Sequence, residues 1–222
     1  RTIQSSFAGV DFGRASASSV WPTSAQQKCA SWSAIGEQPM IYVWKIRDDY
    51  AEKLIGTYDR SGPDRFSFKQ GVECEVPSEK PRFQFDASIS ALESLNDLAN
   101  NALVPLVSSR VAAVLQSVDG IQLIPAMVEG KDGSSDDYSI VVVTNKVRGL
   151  DHEQSSYKCV PGTSSIMRFE QAVYLDDCLE GKDVARDEEY LSNLLVSERL
   201  FGSLQEFNDL GLYPQDEVSW AA

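Results

Sequence analysis

Catalysis by a serine or cysteine nucleophile requires a base close to it in the fold, and histidine is the usual one. His152 is the only histidine among the 222 residues, and it lies in the polar stretch Leu150–Lys158 without a Gly-x-Ser-x-Gly motif. No glycine-rich loop has the spacing of a phosphate-binding site. We therefore predict that His152 is a surface residue and that the chain is not an enzyme.

Two pairs of adjacent aspartates are the other candidates for acid–base chemistry. They are Asp136 with Asp137 and Asp176 with Asp177. Side chains of neighbouring residues point in different directions on a strand or a helix, so adjacency alone does not make two carboxylates converge. A carboxylate-based hydrolase remains an alternative, which a deep pocket lined by convergent carboxylates would favour.

The cysteines do not form a recognisable metal or redox motif. Cys29, Cys74, Cys159 and Cys178 are scattered, with no Cys-x-x-Cys spacing. A chain of this length does not need disulfides to fold, so we expect reduced thiols. Zinc binding would need closely spaced ligands, which one histidine and dispersed cysteines do not supply. We predict neither a metal site nor a cofactor.

Acidic residues are concentrated in one short segment near the C-terminus. Seven carboxylates occur within fourteen residues, against only Lys182 and Arg186. They belong to Asp176, Asp177, Glu180, Asp183, Asp187, Glu188 and Glu189. Such crowding costs self-repulsion that a basic partner would relieve. We predict that these seven residues bind a partner; a solvated loop is the alternative reading, because charge runs are commonly that.

The overall charge also restricts the class of partner. Twenty basic and 33 acidic residues give a formal net charge of −13, which argues against direct binding of nucleic acid. No run approaches the ~18 apolar residues of a membrane helix, and the N-terminus lacks the order of a secretory signal. We therefore expect no membrane partner and a cytoplasmic location.

The apolar patterns predict several strands and about three helices. Strands are expected at Met40–Ile46, Phe66–Phe68, Gly71–Val76, Arg82–Phe85, Tyr138–Thr144 and Ile166–Tyr174. Helices are expected near residues 88–99, 109–118 and 198–208. The β-branched run from Tyr138 to Thr144 is typical of a central strand that is buried on both faces.

A strand, a serine cap and a helix occur twice in the chain. Val196, Ser197, Arg199, Leu204 and Gln205 coincide in type with the residues 89 positions earlier, which are Val107, Ser108, Arg110, Leu115 and Gln116. Serine is a good first residue before a helix, since its hydroxyl accepts a hydrogen bond from an otherwise unpaired backbone N–H. We predict a duplicated strand–helix unit, with both copies packed on one sheet.

The first 39 residues differ in composition from the rest. They are rich in serine and alanine and show no lasting periodicity. We interpret residues 1–39 as an N-terminal extension of uncertain order, in which Trp21 and Trp32 are candidate anchors to the body. Residues 40–222 are predicted to form one α+β domain. Its sheet should be mixed or mainly antiparallel, with about three packed helices.

Several motifs in this order resemble those of a bacterial protein family. They are Ile41–Asp49, the strand and loop from Tyr138 to Tyr157, Leu179–Asp183, and Val196–Leu200 with Leu204 and Gly211. Together they resemble the Imm11 family, immunity proteins of polymorphic toxin systems. The resemblance covers residues 40–217.

The resemblance implies a function as well as a fold. An immunity protein binds one toxin and blocks it by occlusion, without chemistry of its own. The resemblance implies a protein toxin encoded alongside, for example a nuclease of the HNH type, delivered by contact-dependent or type VI-like secretion, and the acidic charge of this chain suits a basic toxin. An adaptor protein of a secretion apparatus is a further alternative, and a toxin gene directly upstream would favour immunity over it.

Overall fold

The computed structural model describes residues 40–220, so the predicted N-terminal extension and its candidate anchors Trp21 and Trp32 lie outside the described residues. The strands are β1 (Ile41–Trp44), β2 (Thr57–Tyr58), β3 (Arg82–Gln84), β4 (Leu106–Ser108), β5 (Ile121–Gly130), β6 (Gly133–Val143), β7 (Lys146–Val147), β8 (Ser156–Cys159), β9 (Ile166–Gln171), β10 (Val184–Asp187), β11 (Leu194–Ser197) and β12 (Leu212–Pro214). The helices are α1 (Ile89–Leu92), α2 (Ser109–Leu115) and α3 (Glu198–Leu204), with 3-10 turns at Glu52–Leu54, Ser67–Lys69 and Gln215–Glu217.

The strands form two five-stranded sheets and a separate hairpin. Sheet A has the order β12-β1-β11-β10-β7, sheet B has the order β2-β3-β5-β6-β4, and β8 pairs with β9. Pairing is antiparallel except between β10 and β7 and between β3 and β5. The predicted α+β class with a mainly antiparallel sheet is confirmed.

Alternating apolar residues place the two sheets on either side of a shared inner layer. In β6, Ile140 belongs to the cluster on the outer face of sheet B, and Val141 belongs to the inner layer. In β11, Val196 faces the inner layer and Leu195 faces the outer cluster of sheet A. The prediction of a central strand buried on both faces is confirmed for β6, since side chains alternate between faces along a strand.

The duplicated unit is present and extends further than the sequence identities. Ser108 and Ser197 each cap a helix by accepting a hydrogen bond from the backbone three residues later. Ser108 also donates from its N–H and its hydroxyl to the carbonyl and side-chain oxygens of Asn96, at 3.0 and 2.9 Å. Ser197 does the same to Asp183, at 2.8 and 2.9 Å. Asn96 and Asp183 are therefore equivalent positions of the repeat.

The prediction that both copies pack on one sheet is wrong. Strand β4 lies at the edge of sheet B, and β11 lies inside sheet A. Helices α2 and α3 meet in the inner layer, where they contribute Val111, Leu115, Leu200 and Leu204. Each helix packs on a different sheet, and the apolar faces of both helices are buried together in the layer between the two sheets.

The first predicted helix is shorter than its apolar spacing indicates. Helix α1 ends at Leu92, and the hydroxyl of Tyr138 then donates to the carbonyls of Leu92 and Leu95 at 2.6 and 3.1 Å. Further along, the Leu98 N–H donates to the Leu106 carbonyl. These bonds, made with distant parts of the chain, replace the helical ones.

Two predicted short strands are also wrong. Over Phe66–Phe68 the chain forms a turn of 3-10 helix, because Asp64 accepts hydrogen bonds from the N–H groups of Phe66 and Ser67 and so starts a turn. The stretch Gly71–Val76 has no strand beside it in the described part of the chain.

Candidate partner-binding surface

The acidic segment begins as a chain of tight turns between β9 and β10. Backbone N–H groups of Cys178, Glu180 and Lys182 each donate to the carbonyl three residues earlier. Cys178 and Leu179 point inward and are 5% and 4% exposed, so the carboxylates on either side of them face outward. Burial of these two side chains fixes the position of the loop.

A glycine on a neighbouring strand connection allows the loop to lie this close to sheet A. A Cβ at Gly149 would lie 2.1 Å from the Cβ of Cys178, which is closer than atoms can approach. The Gly149 carbonyl accepts a hydrogen bond from the Leu175 N–H at 2.8 Å. The close approach at Gly149 and this hydrogen bond place the acidic loop directly against the body of the protein.

Four of the seven predicted residues line one open groove of about 790 Å³. They are Asp176, Asp177, Glu180 and Asp183, and Glu198 from α3 joins them. The basic residues in the lining are Lys182 and Arg199, and Met40, Ile41 and Leu179 give apolar surface. We call this feature the acidic groove. An apolar centre with a charged rim is typical of surfaces that bind proteins.

The carboxylates of the acidic groove differ in how far they are neutralised. Asp183 accepts two hydrogen bonds from Arg199, both at 2.8 Å, and one from the Ser197 hydroxyl. Glu180 pairs with Lys182 at 2.9 Å. Asp176 and Asp177 form no ion pair with any residue of the described part. Glu198 forms no ion pair in this part either, so these two aspartates and Glu198 present the free negative charge of the groove.

The other three predicted residues lie elsewhere. Asp187 is only 1% exposed and accepts hydrogen bonds from the Tyr174 hydroxyl and the Glu189 N–H, both at 2.9 Å. Burial raises the pKa of Asp187. Glu188 pairs with Arg148 at 2.7 Å, and Glu189 lies 3.1 Å from His152, so these two residues are on the surface but outside the groove lining.

Sequence reasoning missed the far side of the acidic groove. Met40 lies just before β1, and Glu198 and Arg199 come from the start of α3, so all three lie outside the acidic segment in sequence. The repeat carries no signal for Asp183, because its offset of 89 residues places Ala185 opposite Asn96, and only the hydrogen bonds to the two serine caps show that Asp183 and Asn96 are equivalent. Nothing in the sequence places Met40 there.

The candidates for catalytic chemistry do not form one site. Asp136 pairs with Lys80 at 2.8 Å, and His152 is exposed, with its Nδ1 2.8 Å from the Tyr157 hydroxyl. Burial raises the pKa of Asp97 to about 6, and this residue lies outside the acidic groove.

Residues 40–220 contain neither a cluster of metal ligands nor a helix that could span a membrane. Over this range no group of His, Cys, Asp and Glu side chains is arranged to hold a metal ion, and Cys74, Cys159 and Cys178 are free thiols. Over the same range, no helix has the length and apolarity to cross a membrane.

A comparison with protein-family models finds a match that covers most of the chain. Residues 33–217 match the model described as Immunity protein family (Imm11). The matched range contains both sheets, the three α-helices and every residue of the acidic segment. No curated protein matches the chain.

Proposed function

Because the chain belongs to the Imm11 immunity protein family, we propose that it neutralises one cognate bacterial toxin by binding it directly and covering its functional surface. The observation that carries this proposal is the family match over residues 33–217. Membership of an immunity protein family favours a binding role over an enzymatic one. We propose the cytoplasm as the place where the protein meets its toxin.

Charge supports a basic toxin as the partner. The protein has a formal net charge of −13, and the acidic groove presents five carboxylates against two cations. Complementary charge accelerates association and excludes partners of the wrong sign. Nucleases are a class of toxin with a basic surface, since they bind phosphate. We propose delivery by contact-dependent or type VI-like secretion.

The acidic segment is our proposed docking surface, with a division of roles taken from its geometry. Asp176 and Asp177 steer the approach, because they are exposed and unpaired among the described residues. Glu180 and Asp183 contact the toxin inside the groove, next to the apolar surface of Met40. Glu188 and Glu189 extend the acidic surface, and Asp187 supports it from within the protein.

Co-expression with the protein encoded by the adjacent gene tests the function. We expect the adjacent toxin to stop growth when expressed alone and growth to resume when this chain is present. The two proteins should also purify together, since occlusion requires a complex. Growth arrest that persists while both proteins are present and folded would contradict the proposal. Purification with secretion components instead would support the adaptor alternative.

Reversing the free charges should slow association with the toxin. In the double variant Asp176→Lys with Asp177→Lys, we expect association to be about tenfold slower at low salt and less sensitive to added salt, because steering by exposed charge acts on the association rate. Stopped-flow or surface-binding kinetics at two salt concentrations measure this.

A matched control separates local steering from net charge. Asp137→Lys with Glu153→Lys makes the same charge change at two exposed positions outside the acidic groove. This control should slow association much less. Equal rates for the two double variants would show that Asp176 and Asp177 are not part of the docking surface.

A further inference from the structure

The stretch Val72–Val76 has the composition of a strand but lies without a strand beside it in the described residues. Val72, Cys74 and Val76 alternate with Glu73 and Glu75. Val72 and Val76 are 47% and 62% exposed, so their apolar side chains are largely uncovered. A strand-like segment with an open apolar side is a template for pairing with another chain.

One side chain of sheet B holds the middle of this segment. The Cys74 N–H donates to Gln122 Oε1, and Gln122 Nε2 donates to the Cys74 carbonyl, both at 2.8 Å. The amide of Gln122 thus takes the place of a neighbouring strand on that side. The Cys74 thiol also donates to the Ser67 carbonyl at 3.1 Å, which gives the segment a second attachment to the rest of the protein.

The opposite edge of the segment is unpaired. Along an extended chain the N–H and C=O groups of successive residues point to opposite sides. The backbone groups of Glu73 and Glu75 should therefore point away from Gln122, and they form no hydrogen bond with any residue between 40 and 220. The two bonds to Gln122 place the N–H and C=O of Cys74 on one side, as in an extended chain, and the same course through Glu73 and Glu75 gives two donors and two acceptors in the pattern of an edge strand.

The charge beside this edge selects the kind of partner. The segment borders a groove of about 540 Å³, which we call the second groove, and the charged residues lining it are Asp64, Glu73 and Glu75. These three carboxylates make no ion pair within the described range, and no lysine or arginine joins the lining. This groove is less neutralised than the acidic groove. A cationic partner would relieve the repulsion.

We infer that Val72–Val76 is a docking strand, to which an extended segment of the toxin adds through backbone hydrogen bonds, with its lysine or arginine side chains beside Glu73 and Glu75. This inference rests on the proposed function and names a contact that the acidic groove does not provide. Main-chain hydrogen bonds supply affinity in strand addition, and alternate side chains supply specificity. The two hydrogen bonds from Gln122 already hold the middle of the segment, so little conformational entropy should be lost when the partner binds.

Hydrogen exchange of the intact protein tests the docking strand. The probe is the purified, catalytically inactive toxin from the adjacent gene. In the free protein, the Glu73 and Glu75 amides should exchange rapidly, and the complex should slow them by at least about tenfold, because pairing removes them from water. The Cys74 amide is an internal control, since its bond to Gln122 should give it protection in both states.

A pair of substitutions at one position isolates the backbone contribution. Glu75→Pro removes the outward N–H and the carboxylate, whereas Glu75→Gln removes only the charge. Proline also restricts the residue before it to an extended backbone, which suits the segment. We expect Glu75→Pro to bind the toxin about tenfold more weakly than Glu75→Gln, with circular dichroism spectra that match the wild type.

The outcomes separate this inference from the proposed function. Toxin binding with protected Glu73 and Glu75 amides supports both. Toxin binding while these amides continue to exchange rapidly overturns the docking strand and leaves the proposed function intact. Absence of toxin binding overturns the proposed function and the docking strand with it. The exchange measurement uses the wild-type protein, so it decides the matter even if Glu75→Pro fails to fold.

Discussion

Replacing Arg186 with alanine should lower the free energy of unfolding by about 3 kcal/mol, because one buried and one partly buried carbonyl lose their donors and a large cavity opens. Arg186 lies in β10 and is 1% exposed. Its guanidinium donates to the carbonyl of Leu191 at 2.6 Å and to that of Phe68 at 3.2 Å. Phe68 belongs to the outer cluster of sheet B, so Arg186 connects parts of the chain that are 118 residues apart.

The cost of burying the charge of Arg186 reduces the stability that Arg186→Ala should lose, but it does not cancel that loss. Burial lowers the pKa of Arg186 to about 10, which means that the folded protein disfavours the charged form. Within residues 40–220 its Nε has no hydrogen-bond partner, and no carboxylate forms an ion pair with it. Arg186→Met keeps most of the buried volume and removes the charge, so we expect it to cost only about 1 to 2 kcal/mol.

Urea denaturation of the wild type and the two Arg186 variants measures these differences. Arg186→Lys adds a third comparison, because it keeps the charge but cannot reach both carbonyls with a planar fork. A loss below about 1 kcal/mol for Arg186→Ala would show that the two carbonyls find other donors, and that the bond to Phe68 does not support the fold.

Replacing Asp97 with asparagine should stabilise the protein at pH 7 by on the order of 2 kcal/mol. Burial raises the pKa of Asp97 to about 6, and its Oδ2 accepts a hydrogen bond from Trp44 Nε1 at 3.0 Å. An asparagine oxygen can accept the same bond without a charge. Asp209 lies near enough for its negative charge to add to the pKa shift.

The sign of the pH dependence follows from the raised pKa. An unfolded aspartate titrates near pH 4, so between about pH 4 and pH 6 the folded state holds a proton that the unfolded state has lost. Asp97 therefore makes the wild type less stable as the pH rises through this window. The wild type and Asp97→Asn should be equally stable below about pH 4, their difference should grow up to about pH 6, and it should then level off.

Thermal or urea unfolding at several pH values between 4 and 7.5 tests the Asp97 prediction. Asp137→Asn is the matched control, because Asp137 is exposed and its replacement should change stability by less than about 0.5 kcal/mol at any of these pH values. A constant difference between Asp97→Asn and the wild type across the range would show that Asp97 is already ionised at the lowest pH.

Local patterns in the sequence were sufficient for much of the fold. The β-branched run ending at Thr144 forms a strand that is buried on both faces, and both serine caps begin helices. These elements were predictable because each depends mainly on residues that are close to it in the sequence. The short extent of α1 was not predictable. It depends on the hydroxyl of Tyr138, 46 residues from Leu92 in sequence.

The candidate surface was predictable only in part, because charge in a sequence does not report burial. Arg186 and Asp187 are charged, as are most residues around them in the sequence, yet both are buried in β10. Asp176 and Asp177 are outside because the adjacent Cys178 and Leu179 are inside. The groove also needs Met40, whose place depends on pairing between the two ends of the described chain.

The position of β1 between β11 and β12 has a consequence for the newly made protein. Ile41 lies opposite Ser197, and Trp44 lies opposite Leu212. At synthesis rates of roughly 5 to 20 residues per second, β1 leaves the ribosome on the order of 10 s before its first partner strand. During that delay its four apolar residues are without their sheet and are open to aggregation. Slow completion of sheet A therefore favours a steady reserve of finished chains over rapid production on demand.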